Sequence, residues 1–199
     1  MIIFMCKKDC FCDTIVITNR KLVEGEYLAQ LERVTELKPC GLILREKDLS
    51  DEEYEGLARN VKDICDDNGV VFFVHSRFEI AKKINCGGIH ISVSDLSEIE
   101  KHKKDFEKIS VSCHSMEDVI MALNCGATQV FLGTIFETEC KKGLIGRGIE
   151  FVREISEYCR KNGDIPVYAI GGITPENISL VKEAGARGGC MMSYMMKLK

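Results

Sequence analysis

The feature that most constrains this chain is an alternation repeated about eight times: a short, almost continuous apolar run, then a segment with helical spacing. The runs cover residues 14–19, 41–46, 70–76, 88–92, 108–114, 129–136, 166–172 and 188–194. A run that is apolar at nearly every position fits a strand buried on both faces, as in a parallel sheet. Between the runs lie segments such as "DEEYEGLARNVKDICDDNG" and "GIEFVREISEYCRKNG", whose apolar residues fall on one helical face. Ser50, Ser115 and Thr174 stand where N-caps belong, Pro175 suits a first helical position, and Gly69, Gly126, Gly163 and Gly185 close helices. This count predicts an α/β fold, a single-domain (β/α)8 TIM barrel over residues 1–199, with a doubly wound open sheet as the alternative. The final "MMKLK" leaves a truncated last helix, and so one side of the barrel for a second copy to cover as a homodimer.

Composition narrows the partners. The formal net charge of -4, with no basic stripe, excludes the usual nucleic-acid or membrane-surface binder and favours a small molecule. No apolar run is long enough to cross a bilayer, and the start "MIIFMCKKDCFCD" does not read as a secretory signal. Eleven cysteines without secretory features imply reduced, packed thiols and a cytoplasmic protein. Cys6, Cys10 and Cys12 lack a second Cys or His pair at zinc-finger spacing, so strand-side packing is the better reading. The run "EIEKHKKDFEK", with His102, is the solvated face of a helix.

A barrel carries its chemistry at the C-terminal ends of its strands. "AIGGIT" after the seventh run and "MMSY" after the eighth offer backbone amides for a phosphate, at Gly171, Gly172 and Ser193. Arg45 and Lys47 alternate along one strand end, so both can face the mouth and hold a carboxylate or phosphate. His75 and His114 each end a strand, where an imidazole can act as acid or base. His114 is favoured because "SCHS" surrounds it with small side chains. His90 lies between Ile89 and Ile91 and suits either a hydrogen-bonded core or a ligand contact. Asp95 alone is a weak magnesium site, because no second carboxylate ends the third run. Cys140 sits beside Lys141 and Lys142 with no base adjacent in sequence.

The ordered motifs "LILREKDLS", "GIHISVSDLS", "ISVSCHSMEDVIMALNCGATQVFLGTIFETECKKG" and "PVYAIGGITPENISLVKEAGARG" resemble the thiamine phosphate synthase superfamily from Ile15 to Ser193. One branch joins hydroxymethylpyrimidine diphosphate to a thiazole phosphate with magnesium on the diphosphate. Its pattern is Gln-x-Arg-x-Lys, Asn-Asp, Asp and Thr-x-Thr-Lys after strands two, three, four and six. Arg45, Lys47, Asp95, Ser112, Thr138 and Lys141 match, whereas Ile43, His75, Ser76 and Cys140 depart. The other branch, the TenI-type thiazole tautomerases, lacks the same metal and pyrimidine residues, and its sixth-strand loop is similar to "FETECKKGLIGRG". On that likeness the resemblance implies an isomerase acting on a carboxylated thiazole phosphate, with the synthase as alternative. His114 would shuttle the proton, no cofactor would be needed, and magnesium would enter only with the synthase. Arg45, Lys47, Ser112, Thr138, Lys141, Gly171, Gly172 and Ser193 would bind the substrate.

Overall fold

The computed structural model describes residues 11–138, 143 and 145–199. Its strands are β1 (Thr14–Ile17), β2 (Gly41–Leu44), β3 (Val71–His75), β4 (Gly88–Ser92), β5 (Lys108–Cys113), β6 (Gln129–Gly133), β7 (Val167–Ile170) and β8 (Gly188–Met191). They pair in parallel in sequence order, and β8 returns to β1 to close a barrel. The helices are α1 (Tyr27–Glu36), α2 (Asp51–Asn68), α3 (Phe78–Lys83), α4 (Leu96–His102), α5 (Met116–Cys125), α6 (Gly148–Lys161), α7 (Ile178–Glu183) and α8 (Ser193–Met196). The chain is therefore a single-domain TIM barrel.

Alternation along the strands divides the core in two. Ile15, Ile17, Ile43, Phe73, Phe131, Tyr168 and Cys190 fill the barrel interior. Their neighbours Val16, Leu42, Leu44, Val74, Ile89, Ile91, Val111 and Leu132 face outward to the helices, which return residues such as Leu31, Val61 and Ile155. Each such side chain, fully buried, stabilises the fold by about 1.5–3 kcal/mol. One sector of the interior is polar instead: His90 on β4 and Ser110 and Ser112 on β5.

Several helix limits follow the expected chemistry. Ser50 and Glu53 form a reciprocal capping box at α2, Ser115 caps α5, and Gly69 and Gly126 end those helices in the left-handed conformation. Thr174 and Pro175 do not open α7. A turn on Thr174 O precedes the helix, in which Asn177 accepts from the Thr174 N–H at 2.9 Å and donates to Gly172 O at 2.8 Å. The apolar runs also extend past most strands. β3 stops at His75, where Ser76 turns to φ +56° although its N–H still donates to His90 O of β4 at 2.9 Å.

The last helix is a single turn, as expected, but the chain itself covers it. Met195 and Met196 are buried, and Gln30 Nε2 donates to Met195 O at 2.8 Å and Leu198 O at 3.0 Å. Arg33 adds a bond to Leu198 O. Among the described residues, no helix is long and apolar enough to cross a membrane.

Candidate active site

Burial disfavours protonation of His75 and His90, and the charges of Arg45 and Lys47, just past the end of β2, add to it. Glu46 points the other way and is 3% exposed. Its carboxylate accepts from Thr18 Oγ1, the Arg20 N–H, Arg20 Nη1 and the Tyr27 hydroxyl at 2.9–3.0 Å. Four donors satisfy a buried carboxylate that would otherwise be costly to desolvate.

Strands β3 and β4 end in a corner rich in oxygen. Asp95 accepts hydroxyl bonds from Ser76, Ser92 and Ser94, each at 3.1 Å. Ser76 holds a left-handed backbone that is uncommon for serine, a kind of strain that often gathers at functional sites. Beside it His75 is 9% exposed, and burial, with Lys47 and Arg45 adding, pulls its pKa down to about 4. The imidazole is neutral near pH 7. His90 is a core residue: its two ring nitrogens meet Ser110 Oγ at 2.9 Å and Ser112 Oγ at 3.0 Å. Ser112 is thus spoken for by His90 on one side. A ladder of rings runs from the mouth inward, His75 to His90 at 5.7 Å, His90 to Phe131 at 4.8 Å and Phe131 to Tyr168 at 5.5 Å.

His114 follows β5. Its Nδ1 lies 2.5 Å from Gly133 O, a bond that puts the proton on Nδ1 and leaves Nε2 as the acceptor in the neutral ring. The backbone on both sides is held as well. Asp118 accepts from the His114 N–H at 2.7 Å, and Arg147 donates to His114 O while stacking 4.4 Å over the Phe151 ring. Arg147 went unnoticed in the sequence because its partner lies 33 residues away. The loop after β6 runs from Thr134 through a half-buried Thr138, while Glu139, Cys140, Lys141, Lys142 and Leu144 lie outside the described residues. Lys141 and Cys140 therefore keep only their sequence-based expectation.

The turn after β7 brings Gly171 and Gly172 against that loop at φ +97° and +67°. A Cβ at Gly171 would meet Thr134 Cγ2 at 2.5 Å, and one at Gly172 would meet Glu137 O and Phe136 Cβ at 2.7 Å. Close approach to the loop thus requires both glycines, apart from any ligand. Their carbonyls accept from the Phe136 N–H and Asn177 Nδ2, which fixes the turn. Ser193 opens α8 on the neighbouring strand end.

Other titratable groups read as structure. His102 is not solvated as expected: it stacks on Phe78 at 4.9 Å and bonds Asp105 at 3.2 Å. Burial pushes the thiols of Cys40 up to about 11 and of Cys65 and Cys113 up to about 12, away from reactive thiolate. Cys6 and Cys10 lie outside the described residues. Among the described residues no group of three or more His, Cys, Asp or Glu side chains is placed to hold a metal. Asp95 and its serines offer hard oxygens and one carboxylate. That set fits a magnesium ion completed by water and phosphate oxygens, not one caged by protein alone.

The family described as thiamine monophosphate synthase matches residues 14–195. The thiamine-phosphate synthase of Clostridium tetani is 31% identical, over 96% of this chain and 91% of its own. A putative thiamine-phosphate synthase 2 of Aquifex aeolicus is 32% identical, over 91% of this chain and 96% of its own. The solved thiamine phosphate pyrophosphorylase of Pyrococcus furiosus superposes with a TM-score of 0.80 over 95% of this chain and 89% of its own, at 24% identity, and shares the fold. These findings overturn the isomerase expected from the sixth-strand loop: the relatives that span the chain carry the name of the transferase. The loop likeness misled because it covers one short segment, whereas the relatives match almost the whole barrel. The chain belongs to the thiamine monophosphate synthase family, whose substrates are small molecules.

Proposed function

We propose that the chain is a thiamine-phosphate synthase, a transferase that joins hydroxymethylpyrimidine diphosphate to a thiazole phosphate. In this reaction the C–O bond to the diphosphate breaks, the thiazole nitrogen forms a C–N bond to the same methylene carbon, and diphosphate departs. The observation that carries the reading is a juxtaposition at the mouth: Ser76, just past β3, donates to the Asp95 carboxylate at 3.1 Å, and Arg45 and Lys47 follow β2, the strand paired with β3. A transfer that expels diphosphate needs cations for the leaving group and a carboxylate for a metal; a metal-free proton shift has no use for the carboxylate. Relatives named as synthases and matching over 90% of the chain support it.

Arg45 and Lys47 would take the diphosphate charge, and Asp95, with Ser76 beside it, would hold magnesium. When bound, that ion supplies charge neutralisation on the departing oxygens. The amides of Gly171 and Gly172, with Ser193, would hold the thiazole phosphate, with Thr138 and, from its sequence position alone, Lys141 as further substrate contacts. Ser112 sits between His90 and the mouth and would touch the substrate on its free side. His114, braced against Gly133, would present Nε2 to the ligand. The neutral His75 and buried Ile43 would line the pyrimidine side.

The test is direct. Purified protein is incubated with both phosphorylated substrates and magnesium, and thiamine phosphate and released diphosphate are measured together. Equal formation of the two products supports the reading; absence of both with well-folded protein rejects it.

A further inference from the structure

Glu46 lies between Arg45 and Lys47 in sequence, yet its carboxylate is committed elsewhere. Its partners Thr18, Arg20 and Tyr27 all belong to the segment between β1 and the start of α1. Among the described residues, neither Arg45 nor Lys47 forms an ion pair. Alternation puts the two cations on one side of the strand end and the carboxylate on the other.

We propose that Glu46 is a positioning residue for anion binding, which fixes the end of β2 so that Arg45 and Lys47 meet a diphosphate with their charge uncompensated. This rests on reading those two cations as the diphosphate holders.

Hydrogen bonds hold the segment at the Arg45 N–H and at the Glu46 and Asp48 carboxylates. Thr18 Oγ1 donates to Glu46 Oε1 and also accepts from the Arg45 N–H at 2.9 Å, so one hydroxyl holds both side chain and backbone. One residue beyond Lys47, Asp48 accepts from Arg20 Nη1 at 2.6 Å and Nη2 at 3.0 Å, and pairs with Lys21 at 2.8 Å. A planar guanidinium that bridges Glu46 and Asp48 sets the backbone of Lys47 between two fixed points. Long cationic side chains lose less freedom on meeting an anion when their backbone is already held.

The same bonds sort the charges. A carboxylate left loose at position 46 would sit against the neighbouring cations and cancel the field that draws in a phosphate. Arg20 neutralises it on the far side of the strand. Thr18, Arg20 and Tyr27 therefore serve the anion site without needing to touch the anion.

A sign separates positioning from simple electrostatics. Glu46→Gln deletes a negative charge near two cations, so the field alone predicts tighter binding of an anion. Positioning predicts the reverse: the Kd for inorganic diphosphate, measured by calorimetry with magnesium present, rises about tenfold. The KM for the diphosphate substrate rises with it, while kcat moves by less than KM. Unchanged or tighter diphosphate binding in a folded variant overturns the proposal. Tyr27→Phe removes one of the four donors and is expected to weaken binding about threefold, so it decides the matter if Glu46→Gln does not fold. Glu55→Gln, on the outer surface of α2, should leave diphosphate binding unchanged. Wild-type protein that binds diphosphate in a Glu46-dependent way, yet makes no thiamine phosphate, keeps this inference and removes the transferase reading. Wild-type protein with no affinity for diphosphate overturns the inference.

Discussion

The Ser76 hydroxyl donates to the Asp95 carboxylate across 3.1 Å, so the ends of β3 and β4 meet in one oxygen-lined corner of the barrel mouth. That contact sets the first prediction. Aspartate tolerates the left-handed backbone of position 76 better than most residues, so Ser76→Asp adds a second carboxylate with little strain. The magnesium concentration that gives half-maximal transferase activity should fall about tenfold, and Asp95→Asn should reduce kcat/KM about a hundredfold. A magnesium titration of the two variants checks both. An Asp95→Asn enzyme with wild-type magnesium dependence would remove Asp95 from the metal site.

Gly172 bears on the phosphate side. With φ +67° and 2.7 Å from a new Cβ to both Glu137 O and Phe136 Cβ, Gly172→Ala must push the loop after β6 outward. The backbone penalty alone is about 1 kcal/mol or more. The KM for thiazole phosphate should rise about tenfold, with a smaller change for the pyrimidine diphosphate. Steady-state kinetics in each substrate separates the two effects.

His75 makes stability depend on pH. Its ordinary pKa of 6.5 is lowered to about 4 in the fold, so between these values the unfolded chain binds a proton that the native state refuses. Native stability therefore rises with pH through that window and is lost as pH falls from 6.5 towards 4. The shift corresponds to about 3 kcal/mol when complete. His90 moves in the same direction. In urea unfolding at several pH values, the stability of wild type relative to His75→Asn should decline on acidification; a constant difference would show that His75 does not carry the effect.

Phe131 is the middle rung of the interior ladder, fully buried between His90 and Tyr168. Phe131→Ala should cost about 3–5 kcal/mol. It should also loosen His90 from Ser110 and Ser112, and so disturb the mouth from below. Chemical denaturation measures the first effect, and the imidazole resonances of His90 in a nuclear magnetic resonance titration report the second.

What the sequence revealed followed the range of the interactions involved. The barrel was legible because each strand buries both faces, so apolar runs mark it directly, and Ser50, Ser115, Gly69 and Gly126 are local signals that the backbone obeys. Thr174 and Pro175 stand one turn ahead of α7: the Asn177 and Ile178 N–H groups reach Thr174 O, and the regular helix begins only at Ile178. The mouth residues Arg45, Lys47, Asp95 and His114 could be named from their strand-end positions. Their partners could not: Glu46 meets Arg20 across 26 positions, and His114 meets Gly133 across 19. The choice between transferase and isomerase went astray on one short loop, where a few matching letters outweighed the rest of the mouth.

Pairing of β8 with β1 has a consequence for how this protein is made. The partners Ile15 and Cys190 stand about 175 residues apart, and no earlier strand can take the place of β8 in closing the cylinder. At ~5–20 residues per second of synthesis, the free edge of β1 waits on the order of ten to thirty seconds for its partner. During that time an apolar strand with unpaired amides is open to strangers. The nascent chain should be most prone to aggregation, and most dependent on chaperones, just before β8 leaves the ribosome.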